Sequence, residues 1–148
     1  FNPGAGLVLA ADVGLTGAHL ALTDLAGRTL VDEERAIDAA RGPERTLAWI
    51  GDRFAGLLER TTAPKARLRG IGIGLPGSVD PATGRVLDTP RLPGWAHADV
   101  TTALAQRFGV DVVCDGGVNL MAWAEHAALP ERPPSLLFVK VATNVGCA

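Results

Sequence analysis

"LRGIGIGLPG", residues 68–77, is the stretch on which the fold interpretation depends. Large apolar residues alternate with glycines before a Pro-Gly corner, a pattern typical of a buried strand that another element approaches closely from its glycine face. We therefore predict a strand from Leu68 to Gly77, ending in this corner. A hairpin around "DPATG", residues 80–84, is predicted to follow it.

Upstream of this strand, the sequence predicts three neighbouring strands and a helix. Leu7 to Val13 is a continuous apolar run with Asp12 near its end, which suits a central strand. Ala18 to Leu25 and Arg28 to Ala36 are expected to continue it as an antiparallel meander. A helix is predicted from Pro43 to about Thr61, because apolar residues recur there at helical spacing.

Downstream of the same strand, helices alternate with strands. The sequence predicts a helix over Asp99 to Phe108, a strand over Val110 to Cys114, a helix over Val118 to Leu129 and a strand over Leu136 to Val141. A meander followed by alternating strands and helices predicts an α/β fold with a mixed five-stranded sheet. Its later strands are expected to run parallel, with helices on both faces.

The composition narrows the possible functions. The 148 residues are 47% hydrophobic and 20% charged, as in a globular domain, and the net charge of -2 gives no general attraction to nucleic acid. No metal site is predicted, because Cys114 and Cys147 lack zinc-ligand spacing and His19, His97 and His126 do not converge. The scarcity of cysteine favours a reduced, cytoplasmic protein. No apolar stretch approaches the roughly 20 residues that cross a bilayer, so no membrane contact is expected.

The connection "DVGLTGAH", residues 12–19, allows two interpretations. Gly14 and Gly17 could let successive backbone N–H groups point into one concavity, and such nests hold phosphate oxygens. Alternatively, the segment is an ordinary hairpin whose glycines adopt positive φ, and the motif by itself favours this second interpretation.

Several motifs occur in an order and at a spacing that one protein family shares. They are Asp-x-Gly-x-Thr from Asp12, Gly-x-Pro-Gly-x-Val-Asp-Pro-x-Thr-Gly from Gly74, Leu-Pro-Gly-Trp from Leu92, and Asn119 with a Glu six residues on. Through them residues 7–148 resemble the first lobe of the ROK family, which contains sugar kinases and sugar-responsive transcriptional repressors of the actin-like ATPase fold. Residues 1–6 resemble the connector that leaves a winged helix-turn-helix domain in the family's regulators.

The resemblance implies two phosphate-binding segments. Asp12, Gly14 and Thr16 match the turn that embraces ATP phosphates in the family's kinases, where the acid helps to place magnesium. Thr143 and Gly146 match the family's second phosphate loop. Four positions depart from the kinase pattern in these segments: Leu15, Gly17, Ala142 and Asn144. These departures argue against nucleotide binding.

The resemblance also identifies the junction "CDGGVNLMAWAEH", residues 114–126, as the place where the family's kinases hold their sugar-binding Asn and catalytic Asp. Alignment on Asn119 places Asp115 on a family Glu, Gly116 on the sugar-binding Asn and Gly117 on the catalytic Asp. A general base must reach the hydroxyl that it deprotonates, and glycine has no group to offer. Asp115 is interpreted as the N-cap of the following helix, and it could replace the base only if the loop moved by two residues.

Three functions follow from this pattern. The first is the effector lobe of a ROK transcriptional regulator, a pseudokinase that binds a sugar or sugar phosphate near Pro76, Gly77, Gly116 and Gly117, with DNA bound by an upstream domain. The second is an ATP-dependent sugar kinase that uses Asp115, and the third is a structural dimerisation module without a ligand. No cofactor is expected except ATP and magnesium in the kinase case, and the family implies a homodimer.

Overall fold

The computed structural model describes residues 1–62, 67–80, 82–89, 92–141 and 145–148. Its strands are β1 Leu7–Val13, β2 Gly17–Asp24, β3 Thr29–Ala36, β4 Leu68–Leu75, β5 Ser78–Asp80, β6 Arg85–Asp88, β7 Asp111–Gly116, β8 Val139–Val141 and β9 Val145–Cys147. Its α-helices are α1 Pro43–Glu59, α2 Val100–Phe108 and α3 Gly117–Ala128. No helix in these described ranges has the length and apolar character that a membrane span requires.

The main sheet has five strands in the order β3-β2-β1-β4-β7. The first three elements form the antiparallel meander, whereas β4 pairs parallel with both β1 and β7. The predicted mixed sheet is therefore confirmed. Because β1, β4 and β7 run in the same direction, Asp12, Leu75 and Gly116 come to the same edge of the sheet.

The two faces of β4 explain its alternating sequence. Ile71, Ile73 and Leu75 point to one face, where they join the buried residues of α1 and α2 in one hydrophobic core. The glycines point to the other face, where α3 lies close to the strand: a Cβ on Gly74 would be 3.4 Å from the Leu120 side chain. Helices thus cover both faces, as the glycine alternation predicted.

The buried stripe of α1 agrees with the predicted helical periodicity. The helix begins at Pro43, whose fixed φ suits the first turn, and ends at Glu59, slightly before the predicted end. The predicted apolar residues are all buried: Leu47, Ile50, Phe54, Leu57 and Leu58. Each such side chain stabilises the fold by about 1.5–3 kcal/mol on burial.

The segment between β6 and α2 is fixed to the core at one end and capped at the other. Trp95 is fully buried, and its Nε1–H donates to the Ala39 carbonyl at 2.8 Å. Asp99 is the N-cap of α2, because its carboxylate accepts from the Thr102 N–H at 3.0 Å. Gly109 ends α2 in the left-handed conformation, with φ of 67°.

Residues 1–6, predicted to be a connector, pack against the end of the meander. Pro3–Ala5 form a single 3-10 turn capped by Asn2. The Leu25 N–H donates to the Pro3 carbonyl at 3.1 Å, and Arg67 donates to the Gly4 carbonyl at 3.2 Å. The segment therefore runs along the protein surface with defined hydrogen bonds.

The prediction of a strand over Leu136 to Val141 is wrong about its extent and about the strand that it pairs with. Only Val139–Val141 forms a strand, and it pairs with Val145–Cys147 in a separate two-stranded hairpin. Reciprocal bonds between Phe138 and Ala148, at 2.9 and 3.1 Å, extend this pairing. An apolar run indicates extended chain without specifying its partner, and pairing with a segment a few residues away closes a much shorter loop.

Candidate ligand-binding cleft

A cleft of about 690 Å³ opens at the sheet edge where β1, β4 and β7 end. Its walls are the turn after β1, the Pro-Gly corner after β4, the start of α3 and the β8–β9 hairpin. Ligands of open α/β sheets bind in this position, outside the carboxyl ends of the strands. The described candidates from the sequence all line it: Asp12, Gly14, Thr16, Pro76, Gly77, Gly116, Gly117 and Gly146. Thr143 lies outside the described residues, as do Ala142 and Asn144.

The turn after β1 is a closed hairpin. The Gly14 N–H donates to the Gly17 carbonyl at 2.7 Å, and Val13 pairs with Ala18 in the flanking strands. The expectation of positive φ is wrong, since neither glycine is among the described residues with positive φ. Gly14 instead permits a close approach, because a Cβ there would be 3.0 Å from the Gly17 carbonyl oxygen.

The tip of this hairpin is hydrogen-bonded to the backbone of the segment between β3 and α1. The carbonyls of Leu15 and Thr16 accept from the backbone N–H groups of Ala39 and Ile37 at 3.3 and 3.0 Å. Leu15 also packs against the hydrophobic core while bordering the cleft. Within the described part of the chain, the N–H groups of Leu15 and Thr16 donate no hydrogen bond, so both are available to a ligand oxygen.

The junction between β7 and α3 corrects the interpretation of Asp115. The N-cap of α3 is Gly116, and Asp115 still belongs to β7, opposite Gly74. Its Oδ1 accepts from the Gly116 N–H at 2.6 Å and from Asn119 Nδ2 at 2.9 Å. The strand continues two residues past the apolar run because β4 continues to pair with it. Asp115 does not line the cleft.

The two glycines of the junction lie against other parts of the cleft wall. A Cβ on Gly116 would be 2.8 Å from the Gly77 carbonyl oxygen. A Cβ on Gly117 would be 3.1 Å from Asp12 Oδ1 and 3.6 Å from the Leu75 carbonyl oxygen. A side chain at 116 therefore requires the backbone at Gly77 to shift, whereas a side chain at 117 requires a small displacement of the Asp12 carboxylate.

The cleft contains few charges. Of the described residues that line it, Asp12 and Lys140 are charged, and they come from different elements, β1 and the β8–β9 hairpin. No cluster of three or more His, Cys, Asp or Glu side chains suited to a metal occurs in the described ranges. Sequence reasoning did not assign Lys140 or Cys147 to this site, because both reach the cleft through the β8–β9 hairpin, which the pattern had not indicated.

The two cysteines lie in different environments. Cys114 is 2% exposed in the core, and its pKa is raised to about 12 by burial and, secondarily, by the charge of Asp115. Cys147 is exposed at the cleft wall. Cys114 is thus a packing residue, whereas Cys147 is an accessible thiol.

The sheet order, the helices on both faces and the cleft at the strand ends define a lobe of the actin-like ATPase fold. The chain belongs to the ROK family, whose family model matches residues 8–148.

Members of this family resemble the chain in sequence and in structure. The xylose repressor of Bacillus subtilis (strain 168) is 26% identical over 147 residues, which cover 99% of this chain and 38% of that protein. Transcriptional regulator Rv0485 of Mycobacterium tuberculosis (strain ATCC 25618 / H37Rv) is 37% identical over 121 residues, 80% of this chain and 26% of that protein. The chain thus spans about a third of the length of these curated relatives.

A solved structure has the same fold. The ROK family glucokinase from Streptomyces griseus, in complex with glucose and AMPPNP, is 26% identical and superposes with a TM-score of 0.80. The match covers 96% of this chain and 43% of the glucokinase.

Proposed function

We propose that this chain is the ligand-sensing lobe of a sugar-responsive ROK transcriptional regulator that has lost kinase chemistry. The observation that carries the proposal is the junction at Gly116 and Gly117, which line the cleft without side chains. DNA binding is assigned to another domain, since this lobe has a net charge of -2.

The position of Asp115 argues against the kinase alternative. A general base must approach the hydroxyl it deprotonates within about 2.6–3.2 Å. Asp115 lies outside the cleft lining, and its Oδ1 already accepts two hydrogen bonds from Gly116 and Asn119. Asp12 has the chemistry of a magnesium-placing acid, but at the family's base position this chain has Gly117. ATP and magnesium therefore form no part of the proposed function.

The names of the relatives support a regulator that responds to a sugar. One relative is a xylose repressor, another is a transcriptional regulator, and the matching glucokinase structure holds glucose. A sugar can change DNA affinity only if it binds two arrangements of the protein with different affinity. We place the sugar in the cleft, against the Pro-Gly corner and the start of α3.

The test uses the full-length protein with D-xylose and D-glucose. Thermal unfolding is followed with each sugar, and ADP release is measured with ATP and magnesium present. A sugar at 100 times its Kd should raise the free energy of unfolding by about 2.7 kcal/mol, because it binds only the native state. We expect such a shift with at least one sugar and no sugar-dependent ADP release.

The other two functions predict different results. Sugar-dependent ADP release that Asp115→Ala abolishes would establish the kinase. Unchanged thermal unfolding with both sugars would leave the structural dimerisation module, which sedimentation velocity would then show as a dimer.

A further inference from the structure

The carboxylate of Asp12 lies where a side chain at position 117 would begin. Its Oδ1 is 3.1 Å from the Cβ position of Gly117 and 3.2 Å from that of Gly74. The oxygen thus lies close to the Cβ positions of two glycines from different elements. The absence of side chains at both positions is what allows Asp12 to occupy this part of the cleft.

Asp12 is also available to a ligand. The residue is exposed, and although its backbone pairs within the sheet, its carboxylate accepts no hydrogen bond and forms no ion pair within the described ranges. An ionised carboxylate only accepts hydrogen bonds, and its two oxygens offer about four sites. Among the described residues that line the cleft, it is the one acidic side chain.

We propose that Asp12 is the specificity-determining acceptor for a sugar hydroxyl, held beside Gly117 in the space that a side chain there would fill. This proposal rests on the proposed function and deepens it. Asp12 then recognises the ligand directly, without a metal ion. Gly117 contributes because it has no side chain that would displace the Asp12 carboxylate. Ligands with a hydroxyl at this point are preferred over their deoxy analogues, because hydrogen bonds to a charged acceptor are the stronger ones.

Two matched variants of the full-length protein test this role by titration calorimetry with D-xylose and D-glucose in EDTA. Asp12→Asn keeps the shape of the side chain but removes its charge, and we expect at least tenfold weaker binding, equivalent to about 1.4 kcal/mol. Asp115→Asn is the control, because Asp115 lies outside the cleft lining and Asn keeps an oxygen that can accept. Its affinity should stay within twofold of wild type.

Deoxy sugars identify the contact. The monodeoxy analogue that lacks the recognised hydroxyl should bind wild type more weakly, and Asp12→Asn should weaken it little further, since the two changes remove one interaction. Gly117→Ala should also weaken binding of the parent sugar, because its Cβ would displace the Asp12 carboxylate.

The outcomes separate this inference from the proposed function. If wild type binds a sugar and Asp12→Asn binds it equally well, the role of Asp12 is overturned and the sensor function stands. If binding requires magnesium, Asp12 acts through a metal and the inference fails. If wild type binds neither sugar, both proposals fall. Unchanged thermal unfolding of Asp12→Asn without sugar excludes a folding defect as the cause of weak binding.

Discussion

At the scale of single residues, Gly116 shows that a glycine can be required by its neighbours rather than by its backbone angles. Its φ of -60° and ψ of 132° suit any residue. Its Cβ position, however, is 2.8 Å from the Gly77 carbonyl oxygen, which is backbone and cannot swing aside. Gly72 in β4 differs, because a Cβ there meets nothing within 4 Å.

This difference predicts opposite effects of the same substitution. Gly116→Ala should lower the free energy of unfolding by about 1–3 kcal/mol, the usual cost of overpacking. Gly72→Ala should leave it unchanged or raise it by up to about 1 kcal/mol, since alanine loses less entropy in a strand. Urea denaturation measures both, and equal effects of the two variants would contradict the steric account.

At the scale of secondary-structure elements, the N-cap of α2 makes stability depend on pH. The pKa of Asp99 is lowered mainly by the hydrogen bond from the Thr102 N–H and further by the Thr102 hydroxyl. A carboxyl whose pKa is lower in the folded state stabilises the protein above its unfolded pKa of about 4, and this contribution is lost as the pH falls through the folded value.

Asp99→Ala should therefore destabilise the protein by about 1 kcal/mol at neutral pH, the typical value of an N-cap. The difference from wild type should begin to shrink below about pH 4 and should be lost as the pH falls through the lower pKa of folded Asp99. Asp99→Asn is the control and should lose much less at neutral pH, because its oxygen can still accept from Thr102. Urea denaturation over this pH range measures the effect, and a pH-independent loss in Asp99→Ala would refute the capping role.

Helices and strands were predictable from the sequence where the residue pattern itself specifies the face that is buried. The stripe of α1 and the glycine alternation of β4 each specify a buried face, so these elements appear at nearly the predicted bounds. The end of β7 was not predictable from polarity, because Asp115 and Gly116 are held in the strand by pairing with β4. The β8–β9 hairpin was also not predicted, because the apolar pattern does not specify which segment a strand pairs with. The position of Lys140 in the cleft was missed as a result.

At the scale of the whole molecule, the order of the motifs predicted which segments line the cleft. It did not predict the close contacts between them. The candidates Asp12, Gly77 and Gly117 are far apart in sequence, and the parallel strands bring them to one cleft as the resemblance implied. The contact of Gly117 with Asp12 depends on the packing of α3 against β4, which no periodicity encodes.

The two thiols report on the integrity of the whole fold. When native protein is treated with iodoacetamide at pH 8, Cys147 should be alkylated rapidly and Cys114 should not, because Cys114 is buried. With a pKa of about 12, Cys114 would be thiolate in only about one molecule in ten thousand at this pH. Peptide mass spectrometry should show modification of Cys147 but not of Cys114 in native protein, and of both after denaturation in urea.

The control for this experiment is Cys147→Ser, which should show no rapid modification of either position 114 or position 147. Fast alkylation of Cys114 in the native state would mean that the core opens far more often than its packing indicates.

The glycine pair at the start of α3 also limits which substitutions the protein can accept at these two positions. A single codon change at 116 or 117 introduces a side chain that meets the Gly77 carbonyl or the Asp12 carboxylate. A pair of polar residues at these positions would require the facing loop to shift as well, so we expect a substitution at 116 alone to destabilise the fold. Larger residues could therefore be introduced here only together with compensating changes in the loop that faces them.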